Sequence, residues 1–530
     1  GGVSVAIGEL ADSLDIDLDR IPRKYEGLDG TELAISESQE RMAVVISPED
    51  TERFVEACLE ENIEAERVAV VTETGRLRMT WRGKIIVDIA RDFLNTNGVR
   101  QKTDVLVTSP DFNKESDLKK YDKVEDRKDF FEKIPDDIAS VIQNPADAWA
   151  VNLRKLENCC QKGLVERFDS TIGAGTVLMP FGGIYQLSPS EGMAAKLPVI
   201  EGDTTTCTLM TYGFNPYISS WSPFHGAIYA IVEAVAKITA MGGDYSKIRL
   251  SLQEYFPKPG KDPARWGKPF SALLGAYYAQ IKLGLPAIGG KDSMSGTFKN
   301  LDVPPTLVAF AVVPSEADKV ISTEFKKAGS IIVLLELGRD ENGLPDFEQL
   351  KKNYSRIYEL AANRQILSAY SVRQDGISGA ISKMCFGNMI GARITGIHDT
   401  EELFRPKYGS VILEISGSCD ADKLFGGLDY RIIGNTIESR EIVIHAADSS
   451  GADKEICRVC LNEIINKWME PLEKIFPTKV TDNKIASAEI KTVSYCKGSS
   501  DNNSMHIGKK SSRTHGSFAK PRIFIPVFPG

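Results

Sequence analysis

The chain has 530 residues, more than one hydrophobic core normally supports, so three or four domains are expected. A hydrophobic fraction of 42% and a charged fraction of 26% are ordinary globular values. The formal net charge of -9, without a basic face, argues against nucleic-acid and anionic-membrane partners.

In chain order, Gly2 to Leu10 reads as a helix start with no strand before it. The polar cluster Glu37-Ser38-Gln39-Glu40-Arg41 precedes a buried strand, Met42 to Ser47. A helix (Pro48 to Cys58), a strand (Arg67 to Val71) and a hairpin (Leu77 to Trp81 with Lys84 to Val87) follow. Residues 106 to 155 are charge-rich and mostly helical, a connector with a solvated face.

Beyond the connector, strands are expected near Leu164 to Phe168 and Lys247 to Leu252. A long helix runs from Ser222 to Met241 and a second near Phe270 to Leu283, and the strand Thr306 to Val313 closes that domain. Thr306 to Val313 is also the longest type of apolar run, well short of the roughly 18 residues a membrane helix needs. With nine cysteines, an odd and sparse set, the chain reads as soluble and intracellular, in the cytoplasm, without a disulfide scaffold. The one CxxC, Cys457 to Cys460, lies in a helical pattern and lacks the further ligands of a zinc site. After about residue 476 a polar linker leads to a buried strand, Arg522 to Phe528, that stops on Pro529-Gly530 without a partner element. Both ends therefore read as cut.

An internal repeat organises these elements. Gly2-Val3-Ser4-Val5-Ala6-Ile7 resembles Gly376-Ile377-Ser378-Gly379-Ala380-Ile381. The β-α-β-β pattern from Met42 recurs as Val411 to Ser416, Asp420 to Leu428, Tyr430 to Ile433 and Glu441 to His445.

Three constellations carry chemistry. Gly289-Gly290-Lys291-Asp292-Ser293-Met294-Ser295-Gly296 follows a short apolar strand, Pro286 to Ile288. Glycines let a backbone approach an anion, while Lys and Ser supply charge and hydroxyls, although the spacing is not that of a Walker A loop. An ordinary glycine turn is the competing reading. Glu37 to Arg41 is either a plain polar loop or a set of side chains holding a polar ligand at a strand edge. Glu233, inside an apolar helix, needs a partner: either Mg²⁺ or Lys237 one turn on. Asp203 is a second oxygen ligand or a turn residue. His225, at the helix start, reads as structural.

These segments, with Phe168 to Gly175, Ser219 to Gly226 and the terminal Pro521 to Gly530, resemble the phosphoribosylformylglycinamidine synthase family over essentially the whole chain. The resemblance implies an α/β (α+β) fold of tandem aminoimidazole-ribonucleotide-synthetase-like domains with mixed and antiparallel sheets. The implied boundaries begin with 1–105, the C-terminal-type domain of a first half, and 106–155, a connector. They continue with 156–316 and 317–475, the N- and C-terminal-type domains of a second half, then 476–520, a linker, and 521–530, the opening strand of a glutaminase domain.

It further implies ATP- and Mg²⁺-dependent amidation of formylglycinamide ribonucleotide in purine biosynthesis, with ammonia drawn from a glutaminase domain. Lys162 would act on the phosphoryl group. Glu37, Ser38, Gln39 and Ser293 would hold substrate, and Gly290, Lys291 and Asp169 the nucleotide. Asp203 and Glu233 would match the metal ligands of a second, auxiliary nucleotide site, there degenerate because an expected Asn is Lys237 and an expected Asp is Val372. The resemblance makes the isolated chain inactive, with exposed domain faces for self-association. A selenophosphate-synthetase-like enzyme and a non-catalytic half of a split complex are the alternatives.

Overall fold

The computed structural model describes residues 2–23, 26–37, 41–96, 102–110, 131, 134–168, 170–199, 201–447 and 453–478. The polypeptide divides into two separately packed units, meeting in the sequence between Asp104 and Val105.

The first unit contains α1 (Gly2–Ala6), β1 (Leu14–Asp17), α2 (Gly30–Ile35), α3 (Thr51–Glu60), β2 (Ala69–Val71), β3 (Arg76–Trp81), β4 (Lys84–Ala90) and α4 (Arg91–Thr96). Asp29 starts α2 through a reciprocal capping box with Glu32, which satisfies two of the helix's orphan N–H groups. The strands form one sheet in the order β2-β1-β3-β4, with β1 parallel to β3 and the other pairs antiparallel. Leu14, Ile16, Leu77 and Met79 point from it into a small core with Val3, Leu18 and Leu33.

One expectation fails here. Met42 to Ser47 is not a buried strand: it forms no regular element, and Met42 is 92% exposed. A strand persists only by pairing, and the described residues of this unit offer that segment no partner.

The second unit opens with α5 (Asp136–Ala139), α6 (Pro145–Arg154) and α7 (Lys162–Val165). The expected strand at Leu164 to Phe168 is therefore a short helix running into a turn, with Phe168 exposed. A small hairpin follows, β5 (Phe181–Gly182) with β6 (Ser188–Pro189). Next come β7 (Met193–Lys196), β8 (Thr206–Gly213), α8 (Pro216–Trp221), α9 (Pro223–Ala240), β9 (Arg249–Tyr255) and α10 (Pro263–Leu283). Then β10 (Ala287–Lys291), the hairpin β11 (Thr297–Phe298) and β12 (Leu301–Asp302), and β13 (Thr306–Glu316) complete a five-stranded sheet, β10-β9-β13-β8-β7.

The remainder is β14 (Ile331–Leu335), α11 (Phe347–Ala362), β15 (Ile366–Ser371), α12 (Gly376–Phe386), β16 (Gly391–Ile394), β17 (Val411–Ile415) and α13 (Ala421–Phe425). It ends with β18 (Tyr430–Ile437), β19 (Glu441–Ala447), β20 (Asp453–Cys460) and α14 (Leu461–Glu473). Seven of these strands form one sheet, β15-β17-β14-β18-β16-β19-β20.

Helix α9 explains how the layers meet. Ser222 caps it, Pro223 fills its first position, and it is apolar on nearly every side, so it is stable only when covered all round. Its residues share one core with Leu209, Ala309 and Ala311 of the five-stranded sheet and with Val333, Leu335 and Leu413 of the seven-stranded one. Each fully buried Ile or Val in it stabilises the fold by about 1.5–3 kcal/mol. The opposite face of the seven-stranded sheet, including Ile332, Tyr370 and Ile412, packs on α6, α12 and α14. The inner side of α6 is thus core: Trp149 donates to Ser382 Oγ at 2.7 Å and Asn152 to the Asp375 carbonyl at 2.8 Å.

Cys457 and Cys460 lie on β20 rather than in a helix. Residues three apart on a strand face opposite sides, so the pair cannot share a ligand. The strand expected at Arg522 to Phe528 and most of the polar linker lie outside the described residues. No helix among the described residues is long and apolar enough to cross a membrane.

Candidate functional site

The glycine-rich segment is only partly a loop. Strand β10 continues through Gly289, Gly290 and Lys291, pairing parallel with β9 at the edge of the five-stranded sheet. A side chain at Gly290 would collide with the Leu252 carbonyl oxygen, so glycine is needed for the close approach of the two strands. Beyond the strand the chain stays tied to the end of β9. Ser293 N–H donates to the Glu254 carbonyl at 3.1 Å, and the Ser293 carbonyl accepts from Phe256 N–H at 2.9 Å. The hydroxyls of Ser293 and Ser295 meet at 2.9 Å. Lys291 and Asp292 stay exposed along the free edge. Burial pushes the Glu254 carboxyl above its ordinary range, and the nearby Asp292 charge adds to this. The result is an exposed rim of backbone groups and hydroxyls with the Lys291 ammonium and the Asp292 carboxylate, suited to a polar ligand.

Lys162 begins α7. Its ammonium donates to the Gln186 carbonyl at 2.9 Å and lies 3.6 Å from Glu166. Gln186 itself has a left-handed backbone (φ 51°). Gly163 allows the Phe476 backbone to close onto the helix, so α7 is anchored at a fixed place.

Glu37 is exposed at the end of α2 in the first unit, while Ser38, Gln39 and Asp169 lie outside the described residues.

The two expected metal ligands do not meet. Asp203 lies ahead of β8, is mostly exposed and is held by Lys196 at 2.9 Å, and this ion pair draws its carboxyl below the usual range. Glu233 lies beside the other end of β8, where Lys237 donates at 2.8 Å to the Tyr212 carbonyl. Thr206 and Tyr212 are separated by six residues of extended strand, roughly 20 Å. Among the described residues no cluster of three metal-binding side chains occurs.

Glu233 instead pairs with Lys237 at 2.6 Å. Arg373, which the sequence reading passed over as a ligand, reaches Glu191 at 3.2 Å and Glu233 at 3.9 Å. Ser371 and Arg373 lie in the charged turn between β15 and α12, and that density of polar residues between two apolar elements was the available signal. His225 is structural: Ser222 Oγ lies 2.8 Å from Nδ1, Nε2 faces the Asn342 carbonyl at 2.9 Å, and burial lowers its pKa.

Residues 1–82 match the family described as AIR synthase related protein, C-terminal domain. The phosphoribosylformylglycinamidine synthase subunit PurL of Thermoplasma volcanium is 25% identical over 453 residues, 78% of this chain and 54% of the relative. That of Thermoplasma acidophilum is 24% identical over 521 residues, 89% of this chain and 61% of the relative. The chain is similar to these PurL subunits along most of its length. It spans little more than half the length of these PurL relatives. A structure of T. maritima PurL complexed with AMPPCP covers 80% of this chain and 60% of that one, at 18% identity and a TM-score of 0.48. One complexed with FGAR covers 80% and 58%, at 19% identity and a TM-score of 0.47.

Proposed function

We propose that the chain is the synthetase part of a phosphoribosylformylglycinamidine synthase, acting in purine biosynthesis in the cytoplasm. The observation that carries this is kinship with PurL subunits over 78% and 89% of the chain. The reaction joins formylglycinamide ribonucleotide, ATP and ammonia, and yields the amidine, ADP and phosphate. The amide oxygen attacks the γ-phosphorus and ADP leaves; ammonia then adds to the activated carbon, and phosphate departs with that oxygen. The ammonia comes from a glutaminase partner.

In this reading the β10 rim, with Gly290, Lys291 and Ser293, holds the phosphate-bearing ligands through backbone groups and hydroxyls. The Lys162 ammonium opposes the negative charge that builds on the transferring phosphoryl group. Glu37, Ser38 and Gln39 of the first unit hold the ribonucleotide, and Asp169 the nucleotide. Mg²⁺ in such reactions is bound chiefly by phosphates and water with one or two protein carboxylates, so it would arrive with ATP.

Steady-state kinetics on the native gene product carrying this chain tests these roles. Lys162→Ala is expected to lower kcat by about 100-fold, because its contact strengthens as charge develops. Gln39→Ala and Ser293→Ala are expected to raise KM for the ribonucleotide with kcat nearly unchanged. The reverse split, or neutral substitutions, would overturn the assignment.

A further inference from the structure

The auxiliary nucleotide site that the fold family implies around Glu233 does not fit the residues present. Six charges meet where β8, α9 and the β15–α12 turn converge. Arg373 bonds Glu191 and the Tyr370 hydroxyl, and also faces Glu233. Lys237 pairs with Glu233, and Lys383 pairs with Asp375 at 2.7 Å. The Tyr370 ring links the groups, with Arg373 4.9 Å and Lys383 5.9 Å from its centre. Lys237 also lies 4.4 Å over the Tyr212 ring.

Three carboxylates therefore face three fixed cations, and the cluster is neutral without a metal. It is also closed: the Glu233 and Lys237 side chains are 8% and 4% exposed, and those of Glu191 and Asp375 are 2% and 1% exposed. A divalent ion bound to Glu233 would have to displace an ammonium at 2.6 Å and sit beside a guanidinium. Two like unit charges at 4 Å already repel by about 4 kcal/mol at an effective dielectric near 20.

We infer that Lys237 and Arg373 have taken over the work of a bound metal–nucleotide, as a built-in cationic clamp. The clamp ties the Glu191 segment and α9 to the start of α12. Removing one member of a buried, hydrogen-bonded pair leaves a stranded charge, whereas removing both does not. This inference concerns the fold and stands apart from the amidation reading.

Calorimetry on the full chain with MgADP tests it, together with thermal melting. No magnesium-dependent heat that needs Glu233 is expected, so wild type and Glu233→Gln should titrate alike. Heat equal in both proteins, arising from nucleotide at the β10 rim, also supports the clamp. Lys237→Met is expected to lower the melting temperature by about 5–10 °C, with the Glu233→Gln/Lys237→Met pair recovering most of it. Saturable MgADP binding tighter than about 100 μM that Glu233→Gln abolishes would overturn the inference. So would a Lys237→Met protein that melts like wild type.

Discussion

Single residues here owe their state to neighbours from distant parts of the chain. Burial alone would raise the Glu402 carboxyl. Arg431's paired hydrogen bonds, the His398 N–H and the Lys407 charge outweigh that and hold it down at about 2. A carboxylate depressed in the fold adds stability that is complete above its unfolded pKa, and that stability fades as pH falls toward 2. Replacing Glu402 with Gln should therefore flatten the loss of stability between about pH 4.5 and 2, as denaturant titrations at stepped pH would show; an unchanged slope would refute the pairing. At Gly290 the constraint is steric. Gly290→Ala forces β10 from β9 and should cost about 1–3 kcal/mol in urea unfolding. The sequence offered Lys237 as one of two partners for Glu233, the other being Mg²⁺, because a Glu precedes a Lys by one helical turn in an apolar stretch. Polar density marks the Arg373 turn, but no local pattern links it to Glu191, 182 residues away. Asp203, read as a second oxygen ligand or a turn residue, stands a strand's length from Glu233.

Among elements, those made by local pattern were legible and those made by partners were not. Helix α9, strand β13 and the hairpin β3–β4 follow from apolar periodicity and capping residues. Met42 to Ser47 carries the same apolar signal as β17, yet β17 is paired on both sides, by β14 and β15, and Met42 to Ser47 lies exposed. Cys457 to Cys460 carries a helical pattern yet forms the end of β20, because that pattern runs straight into α14, whose N-cap is Cys460. Hydrogen exchange separates the two apolar segments. Amides of residues 42–47 should exchange within seconds, while those of β17 should stay protected until the unit opens as a whole. Equal protection would show that the first segment is a strand after all.

At the scale of the whole molecule, part of the repeat seen in the sequence returns as topology, without its Met42 to Ser47 strand. In the first sheet β1 pairs antiparallel with β2 and parallel with β3, and β3 pairs antiparallel with β4. In the seven-stranded sheet β16 holds the same relations to β18 and β19, and β19 to β20. Two segments sharing few identities build the same order because register and connectivity depend on which face is apolar, not on particular side chains. Chemistry is a different matter, since one fold serves many reactions. Following ADP formation from ATP with ammonium present, in the native gene product that carries this chain, distinguishes amidation from the other reactions this fold could serve. ADP release should require formylglycinamide ribonucleotide, match amidine formed one for one, and fall about 100-fold in Lys162→Ala. ADP release indifferent to the ribonucleotide, or dependent on selenide instead, would contradict it.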